Sequence, residues 1–163
     1  MSPNRHGSAV VTTPSDTEIL VTRVFDAPAE LIFAAYTTPE LVKRWWGFED
    51  HEWLVCESDP VVGGRWRFVT REAGGMEVAF NGEYLEVEPP YRLVATEVYE
   101  PFPDAGAVNT LTLEEKDGAS TLTLLTRYQQ KEHRDMVIAS GMEVGLQVSF
   151  DRMEDLVVAQ AAA

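Results

Sequence analysis

The sequence predicts an α+β domain in which a single curved antiparallel β-sheet of about seven strands wraps around a long C-terminal helix, with two short helices after the first strand. Three observations carry this prediction. Runs rich in Val, Thr, Tyr, Trp and Leu follow one another between residues 52 and 128. The breaks between these runs are only a few residues long, so they can join only antiparallel neighbours. After the last run, apolar residues recur every three or four positions, which is typical of an amphipathic helix.

Length and composition indicate one globular domain. The chain has 163 residues, of which 45% are hydrophobic and 10% aromatic, so a packed core is expected. Residues 1–16 are polar and show no periodicity, so we expect a disordered tail there and a folded domain over residues 17–160. The alanine-rich residues 161–163 are expected to form a second mobile end.

Charge and cysteine content restrict the partners and the location. Lys and Arg total 13 against 27 Asp and Glu, which gives a formal net charge of −14. This charge repels phosphate backbones and anionic lipids, so we expect neither nucleic acid nor a membrane surface as a partner. The apolar patch in residues 1–16 is too short for a signal peptide. Cys56 alone cannot form an intramolecular disulfide, which suits a cytoplasmic protein.

The first elements are a strand and two short helices. Residues 18–25 read EILVTRVF, a strand that runs into Asp26-Ala27-Pro28, where proline suits the first turn of a helix. Thr38-Pro39-Glu40 repeats this signal and opens a second helix that ends near Trp46-Gly47.

Six further strands are predicted to follow as a meander. Gly74-Gly75, Pro89-Pro90 and Asp117-Gly118 are short breaks between apolar runs. The predicted strands cover residues 52–57, 64–71, 76–88, 91–100, 108–116 and 119–128.

The third of these strands contains a turn signal. Asn81-Gly82 could form a hairpin, but Val78, Phe80 and Tyr84 hold one phase across it, so a single strand is expected. The phase then changes, which predicts a bulge or a change of burial between Gly82 and Val87.

A long amphipathic helix is predicted from residue 131 to about residue 159, because its apolar residues recur at spacings of three and four. Gly141 and Gly145 are costly inside a helix, so they indicate either a bend or a close approach to a neighbour or ligand; close packing on the sheet is the commoner reason. A long helix across a strongly curved sheet leaves space between them, which predicts a cavity.

Four segments are distinctive in combination: VTRVFDAPAELIFAAYTTPELVKRWWG, DPVVGGRWRF, FNGEYLEVEPPYRLV and GMEVGLQVSFDRMEDL. Through them the chain resembles, over nearly all of residues 18–158, the START-like superfamily, also called SRPBCC, helix-grip or Bet v-like. Within it the chain resembles the homologues of the activator of the heat-shock-protein-90 ATPase. Phe48 stands where relatives often have proline, and Leu146 where they often have tryptophan; both positions could border the cavity.

This resemblance implies a helix-grip fold with an internal apolar pocket. The superfamily uses such pockets to bind lipids, sterols, polyketides or plant hormones, and in a few members for cyclase or aromatase chemistry. It also implies that this chain lacks the additional domain with which the eukaryotic co-chaperone engages its client ATPase.

Strand alternation indicates which side chains face the pocket. In residues 64–71, Trp66 and Phe68 alternate with arginines, so the rings should face the helix. Residues 91–100 are apolar in both phases, so their register stays open, although Glu97 and Tyr99 share a face. Inward rings also form ordinary cores, and that interpretation stays open too. The candidate ligand-binding residues are Trp46, Trp66, Phe68, Phe80, Tyr84, Glu97, Tyr99, Tyr128, Met142 and Leu146.

Trp45 and Trp46 end the second short helix. Because a helix buries one side, adjacent tryptophans cannot both face the core in the same way. One of them could act as a gate at the pocket mouth, or both could plug the edge of the sheet.

Metal and nucleophile motifs are missing from the sequence. His6, His51 and His133 are scattered, and His51-Glu52 lacks the second histidine of the H-E-x-x-H zinc motif. Phosphate-binding glycine loops and the G-x-S-x-G elbow do not occur. We therefore expect no metal and no cofactor. Proton transfer by a pocket carboxylate or tyrosine stays open.

Three hypotheses of function follow. The leading one is intracellular, non-catalytic binding of a small apolar molecule, whether lipid, polyketide or aromatic, in an internal cavity. The second is a cyclase, dehydratase or hydrolase-like enzyme that uses a pocket carboxylate or tyrosine. The third, a co-chaperone that stimulates a chaperone ATPase, rests on the name of the branch. The sequence leaves the oligomeric state open between monomer and homodimer.

Overall fold

The computed structural model describes residues 5–47 and 51–163; Phe48 and residues 1–4 of the predicted tail lie outside these ranges. The strands of the described part are β1 (Val10–Thr12), β2 (Glu18–Phe25), β3 (Glu52–Ser58), β4 (Arg65–Arg71), β5 (Glu77–Glu88), β6 (Arg92–Tyr99), β7 (Ala107–Lys116) and β8 (Ala119–Tyr128). The helices are α1 (Ala29–Thr37), α2 (Pro39–Val42), α3 (Lys131–Ala139) and α4 (Met142–Ala162).

The strands form one antiparallel sheet in the order β1-β2-β8-β7-β6-β5-β4-β3. From β3 to β8 each strand pairs with the next in the chain, which confirms the predicted meander. The α+β class, with a C-terminal helix against one sheet, is confirmed as well. No helix within the described residues is both long and apolar enough to cross a membrane.

The turn signal Asn81-Gly82 lies inside β5, so the prediction of a single strand is confirmed. Gly82 pairs with Trp66 of β4. Against β6 the register shifts between Tyr84 and Glu86, and Leu85 is the extra residue of the predicted bulge.

The sheet has eight strands in the described residues rather than seven, because β1 lies within the segment predicted to be a disordered tail. Val11 pairs with Val21 of β2, so the tail prediction is wrong for this strand. The physical reason is that β2 would otherwise be a sheet edge with unpaired backbone groups, which Val10–Thr12 satisfy. The backbone N–H of Ala9 also donates to the side chain of Gln147 of α4 (3.1 Å), and its carbonyl accepts from that side chain (2.7 Å).

The predicted single C-terminal helix is divided into α3 and α4. Gly141 between them has a φ of 82°, a left-handed conformation that ends one helix and that side chains rarely adopt. A Cβ at Gly141 would meet no atom within 4 Å, so the glycine serves a bend rather than close packing. α4 also extends to Ala162, beyond the predicted end of the helix.

The core lies between α4, α1 and the β2 side of the sheet. Ile19, Val21 and Phe25 face inward at alternate positions of β2 and are fully buried. Phe25 meets Phe150 of α4 edge to face, with ring centroids 5.7 Å apart. α1 packs against α4 and buries Ile32.

One charged residue occupies an inward position of β2. Arg23 is 2% exposed, and its Nη2 donates to the carbonyl oxygen of Arg5 at 2.9 Å. Its guanidinium lies 3.3 Å from Asp151 and 3.5 Å from Glu154, both on α4. Burial lowers the pKa of Arg23 and raises the pKa of Glu154, because each charge has lost much of its water. The backbone N–H of Asp26 also donates to Glu154 (3.1 Å).

Candidate functional site

A cavity of about 730 Å³ lies between the sheet and the helices. Strands β4 to β8 supply one wall, and α1, the residues after α2, α3 and α4 supply the other. All ten residues proposed from the sequence line this cavity, although their contact with a ligand stays a prediction. They are Trp46, Trp66, Phe68, Phe80, Tyr84, Glu97, Tyr99, Tyr128, Met142 and Leu146.

Strand alternation explains most of this placement. On β4, Trp66 and Phe68 are buried and line the cavity, whereas Arg65 and Arg67, which alternate with them, are exposed. On β6, Ala95, Glu97 and Tyr99 line the cavity. The sequence leaves open which face of this strand points inward, and the structure shows that it is the face shared by Glu97 and Tyr99.

Aromatic rings form a continuous wall around Trp46. Its ring centroid lies 5.5 Å from that of Phe68 and 5.8 Å from that of Phe80, both at near-perpendicular angles. Phe80 in turn lies 5.0 Å from Tyr99. These rings come from the segment after α2 and from three different strands, so the wall depends on the tertiary fold.

The two adjacent tryptophans lie beyond α2, which ends at Val42, so the predicted helix end near Trp46-Gly47 is wrong; their environments nevertheless differ. Trp45 is 4% exposed, and its Nε1 donates to the carbonyl oxygen of Ala35 at 2.8 Å. Its ring contacts Tyr36 and Phe150 on the helix side of the core. Trp46 is only half-buried and faces the strand rings. A gating role for Trp46 stays a prediction.

Trp66 depends on the absence of a side chain at Gly82. The indole Nε1 of Trp66 donates to the carbonyl oxygen of Thr96 at 3.1 Å. A Cβ at Gly82 would lie 1.8 Å from that oxygen and 2.4 Å from the indole nitrogen. Glycine therefore allows the indole to lie across β5 as part of the cavity wall.

A polar cluster made of Glu97, Asn109, Thr126, Tyr36 and Tyr128 interrupts the apolar lining. The Thr126 hydroxyl donates to Oδ1 of Asn109 at 2.7 Å, and Asn109 lies opposite Ala95, two residues from Glu97 on the neighbouring strand. Burial raises the pKa of Glu97, and the nearby Asn109 side chain partly opposes that rise. Burial, and then the charge of Glu97, raise the pKa of both tyrosines.

The rim of the cavity is apolar and exposed. Met76 before β5 is 64% exposed, Phe102 after β6 is 54% exposed and Met136 of α3 is 53% exposed. Ser140 and Gly141, where α3 meets α4, are also exposed lining residues.

Sequence reasoning missed three members of the polar cluster as site residues. Thr126 and Tyr36 line the cavity but are not among the ligand-binding residues proposed from the sequence. Asn109 shares the inward phase of β7 with Leu111 and Leu113, so a polar residue in an apolar phase was the available signal.

The described residues contain no group of three or more His, Cys, Asp or Glu side chains that could hold a metal ion. His133 lines the cavity alone, and its Nδ1 atom is buried without a hydrogen-bond partner.

Solved structures resemble this fold along most of the chain. A crystal structure of a protein from Rhodobacter sphaeroides is 27% identical, covers 93% of this chain and 99% of its own, and superimposes with a TM-score of 0.86. A protein from Mycobacterium smegmatis is 24% identical and covers 91% of this chain and 96% of its own, with a TM-score of 0.80. A protein from Nitrosomonas europaea is 20% identical and covers 93% of this chain and 100% of its own, with a TM-score of 0.82.

No curated protein matches the sequence. The model of the family described as "Activator of Hsp90 ATPase homolog 1-like protein" matches residues 26–158, which is most of the described domain. The superfamily predicted from the motifs is thereby confirmed. The chain belongs to the family of Activator of Hsp90 ATPase homolog 1-like proteins, with the START-like fold.

Proposed function

We propose that this protein is an intracellular binding protein that holds one small, mainly apolar molecule, such as a lipid, a polyketide or an aromatic compound, and does not transform it. The observation that carries the proposal is the 730 Å³ cavity with its wall of rings and aliphatic side chains. Ligand sites are typically cavities of this size with a few polar groups in an apolar lining. Cys56 as the only cysteine supports the intracellular location.

Packing arguments support a ligand as the purpose of this space. Protein interiors are close-packed, with few voids larger than a water molecule. Aromatic side chains such as Trp46 and Phe80 gain stability by burial, yet here they leave surface toward an open space. An apolar ligand would complete their burial.

A cavity-filling substitution tests the proposal. Ala95 of β6 is buried in the wall and pairs in register with Tyr84 and Asn109, so Ala95→Phe would place a ring inside the cavity. We expect the affinity for the neutral apolar dye N-phenyl-1-naphthylamine to fall at least about tenfold. Dye fluorescence and tryptophan quenching both report binding.

The matched control is Leu85→Phe, which adds a ring at the exposed bulge of β5. We expect Leu85→Phe to bind the dye with the affinity of the unsubstituted protein. The thermal unfolding midpoints of both variants should lie within about 5 °C of that of the unsubstituted protein. The proposal fails if the unsubstituted protein does not bind the dye, or if Ala95→Phe binds it equally well.

A second candidate function is favoured by one observation. Glu97 is a carboxyl group of raised pKa beside Tyr128, and such a group can transfer a proton to or from a bound substrate. An enzyme of this kind would show a bell-shaped pH–rate profile. An unchanged turnover in Glu97→Gln and Tyr128→Phe variants would exclude these residues as the acid or base. Stimulation of a chaperone ATPase rests on the family description alone, and no contact of the described residues favours it.

A further inference from the structure

The charges that line the cavity are unbalanced. Glu97 belongs to the polar cluster in its wall, and Glu72 also lines it. Neither lysine nor arginine is among the described lining residues, and His133 is the sole basic side chain there. Burying a carboxylate without a positive partner is costly, because its lost hydration is not replaced.

One hydrogen bond orients Asn109 within the polar cluster. β6, β7 and β8 are adjacent, with Ala95 opposite Asn109 and Asn109 opposite Thr126. Since Oδ1 of Asn109 accepts from Thr126, the amide nitrogen of Asn109 is left to donate, and Glu97 lies diagonally across on β6, two residues from Ala95. A carboxylate offers about four acceptor positions, so even one donor from Asn109 would leave most of them for a ligand.

The neighbours of Glu97 also favour a cation. Tyr36 and Tyr128 line the same cavity and lie close enough to feel the charge of Glu97. Aromatic faces attract cations, and amines are often bound by a carboxylate together with rings. The net charge of −14 further raises the concentration of cations around the protein.

We propose that the ligand carries a protonated amine on an apolar body, and that this amine pairs with Glu97 inside the cavity. This inference rests on the proposed binding function and adds its chemical class. It predicts discrimination against fatty acids and other anionic ligands, because a second carboxylate would face Glu97 without a cation between them.

Four probes with one apolar body test this inference by displacing N-phenyl-1-naphthylamine: 1-naphthylmethylamine, 1-naphthalenemethanol, 1-naphthoate and 1-methylnaphthalene. We expect the amine to bind at least about tenfold more tightly than 1-methylnaphthalene and the carboxylate at least about tenfold more weakly, as expected for a charge-assisted hydrogen bond. In Glu97→Gln the affinities for the amine and for 1-methylnaphthalene should differ by no more than about threefold.

Glu114→Gln is the matched control, because it removes one negative charge from the exposed part of β7. It should keep the full preference for the amine. A preference that persists in Glu97→Gln would mean that general surface charge attracts the amine, which overturns the inference. An alcohol that binds as tightly as the amine would also overturn it, since no cation would then be required.

The two proposals fail in different ways. If the four probes displace the dye equally, the amine inference is wrong and the binding function stands. If neither the dye nor any probe binds, the binding function is wrong and the inference falls with it.

Discussion

Replacing Arg23 by methionine is expected to lower the free energy of unfolding by about 3–5 kcal/mol, the cost of removing one partner from a buried ion pair. The substitution leaves Glu154 buried, with the backbone N–H of Asp26 as its remaining described hydrogen-bond donor besides water. It also removes the hydrogen bond that Arg23 donates to the carbonyl oxygen of Arg5. Urea unfolding at pH 7, followed by tryptophan fluorescence, measures the loss.

Two further variants distinguish the loss of the buried ion pair from the effect of replacing an arginine side chain by methionine. Arg71→Met breaks the exposed pair with Glu52 and is expected to cost less than about 1 kcal/mol. The double variant Arg23→Met with Glu154→Leu should recover at least half of the loss, because no unpaired carboxylate at position 154 then remains buried. If Arg23→Met alone proved as stable as Arg71→Met, this account of the buried pair would be contradicted.

Gly82→Ala is the second substitution with a large expected effect. The new methyl group would lie 1.8 Å from the Thr96 carbonyl oxygen, which belongs to the backbone of β6 and cannot move without disturbing the sheet. We expect a loss of about 3 kcal/mol in the free energy of unfolding, at the upper end for overpacking. Displacement of Trp66 from the wall should also weaken binding of the apolar dye.

Gly74→Ala controls for the general effect of replacing glycine in this chain. A Cβ there would meet no atom within 4 Å, and Gly74 lies in the turn before β5. We expect its stability to stay within about 0.5 kcal/mol of the unsubstituted protein. Equal losses in the two variants would show that contact with Trp66 and Thr96 is not the cause.

The fold was predictable where a local pattern decides it. The alternation of rings and arginines in β4 fixes which face is buried, and short breaks such as Gly74-Gly75 permit only antiparallel pairing. β1 was not predicted, because three residues are too few to show a periodic pattern. Their pairing also depends on the free edge of β2, which a local pattern does not reveal. The division of the C-terminal helix at Gly141 was not predicted, because a glycine in a helical pattern is consistent with either a bend or close packing.

The cavity wall was predictable to the extent that it follows strand phase. Trp66, Phe80 and Tyr84 line the cavity because their phases point inward. The diagonal placement of Asn109 next to Glu97 depends on the register between β6 and β7, which single-strand patterns do not contain. The absence of lysine and arginine from the described lining likewise becomes visible only when five strands and the helices are assembled.

Crystallography with a brominated ligand tests the central claim most directly, because bromine is located by its anomalous scattering. Crystals grown with 6-bromo-2-naphthylmethylamine should show a bromine peak between the sheet and α4, with ligand atoms within about 4 Å of Trp46 and Phe80. A peak on the outer surface, or an interior filled by the protein's own side chains, would contradict the claim that this fold encloses a ligand site.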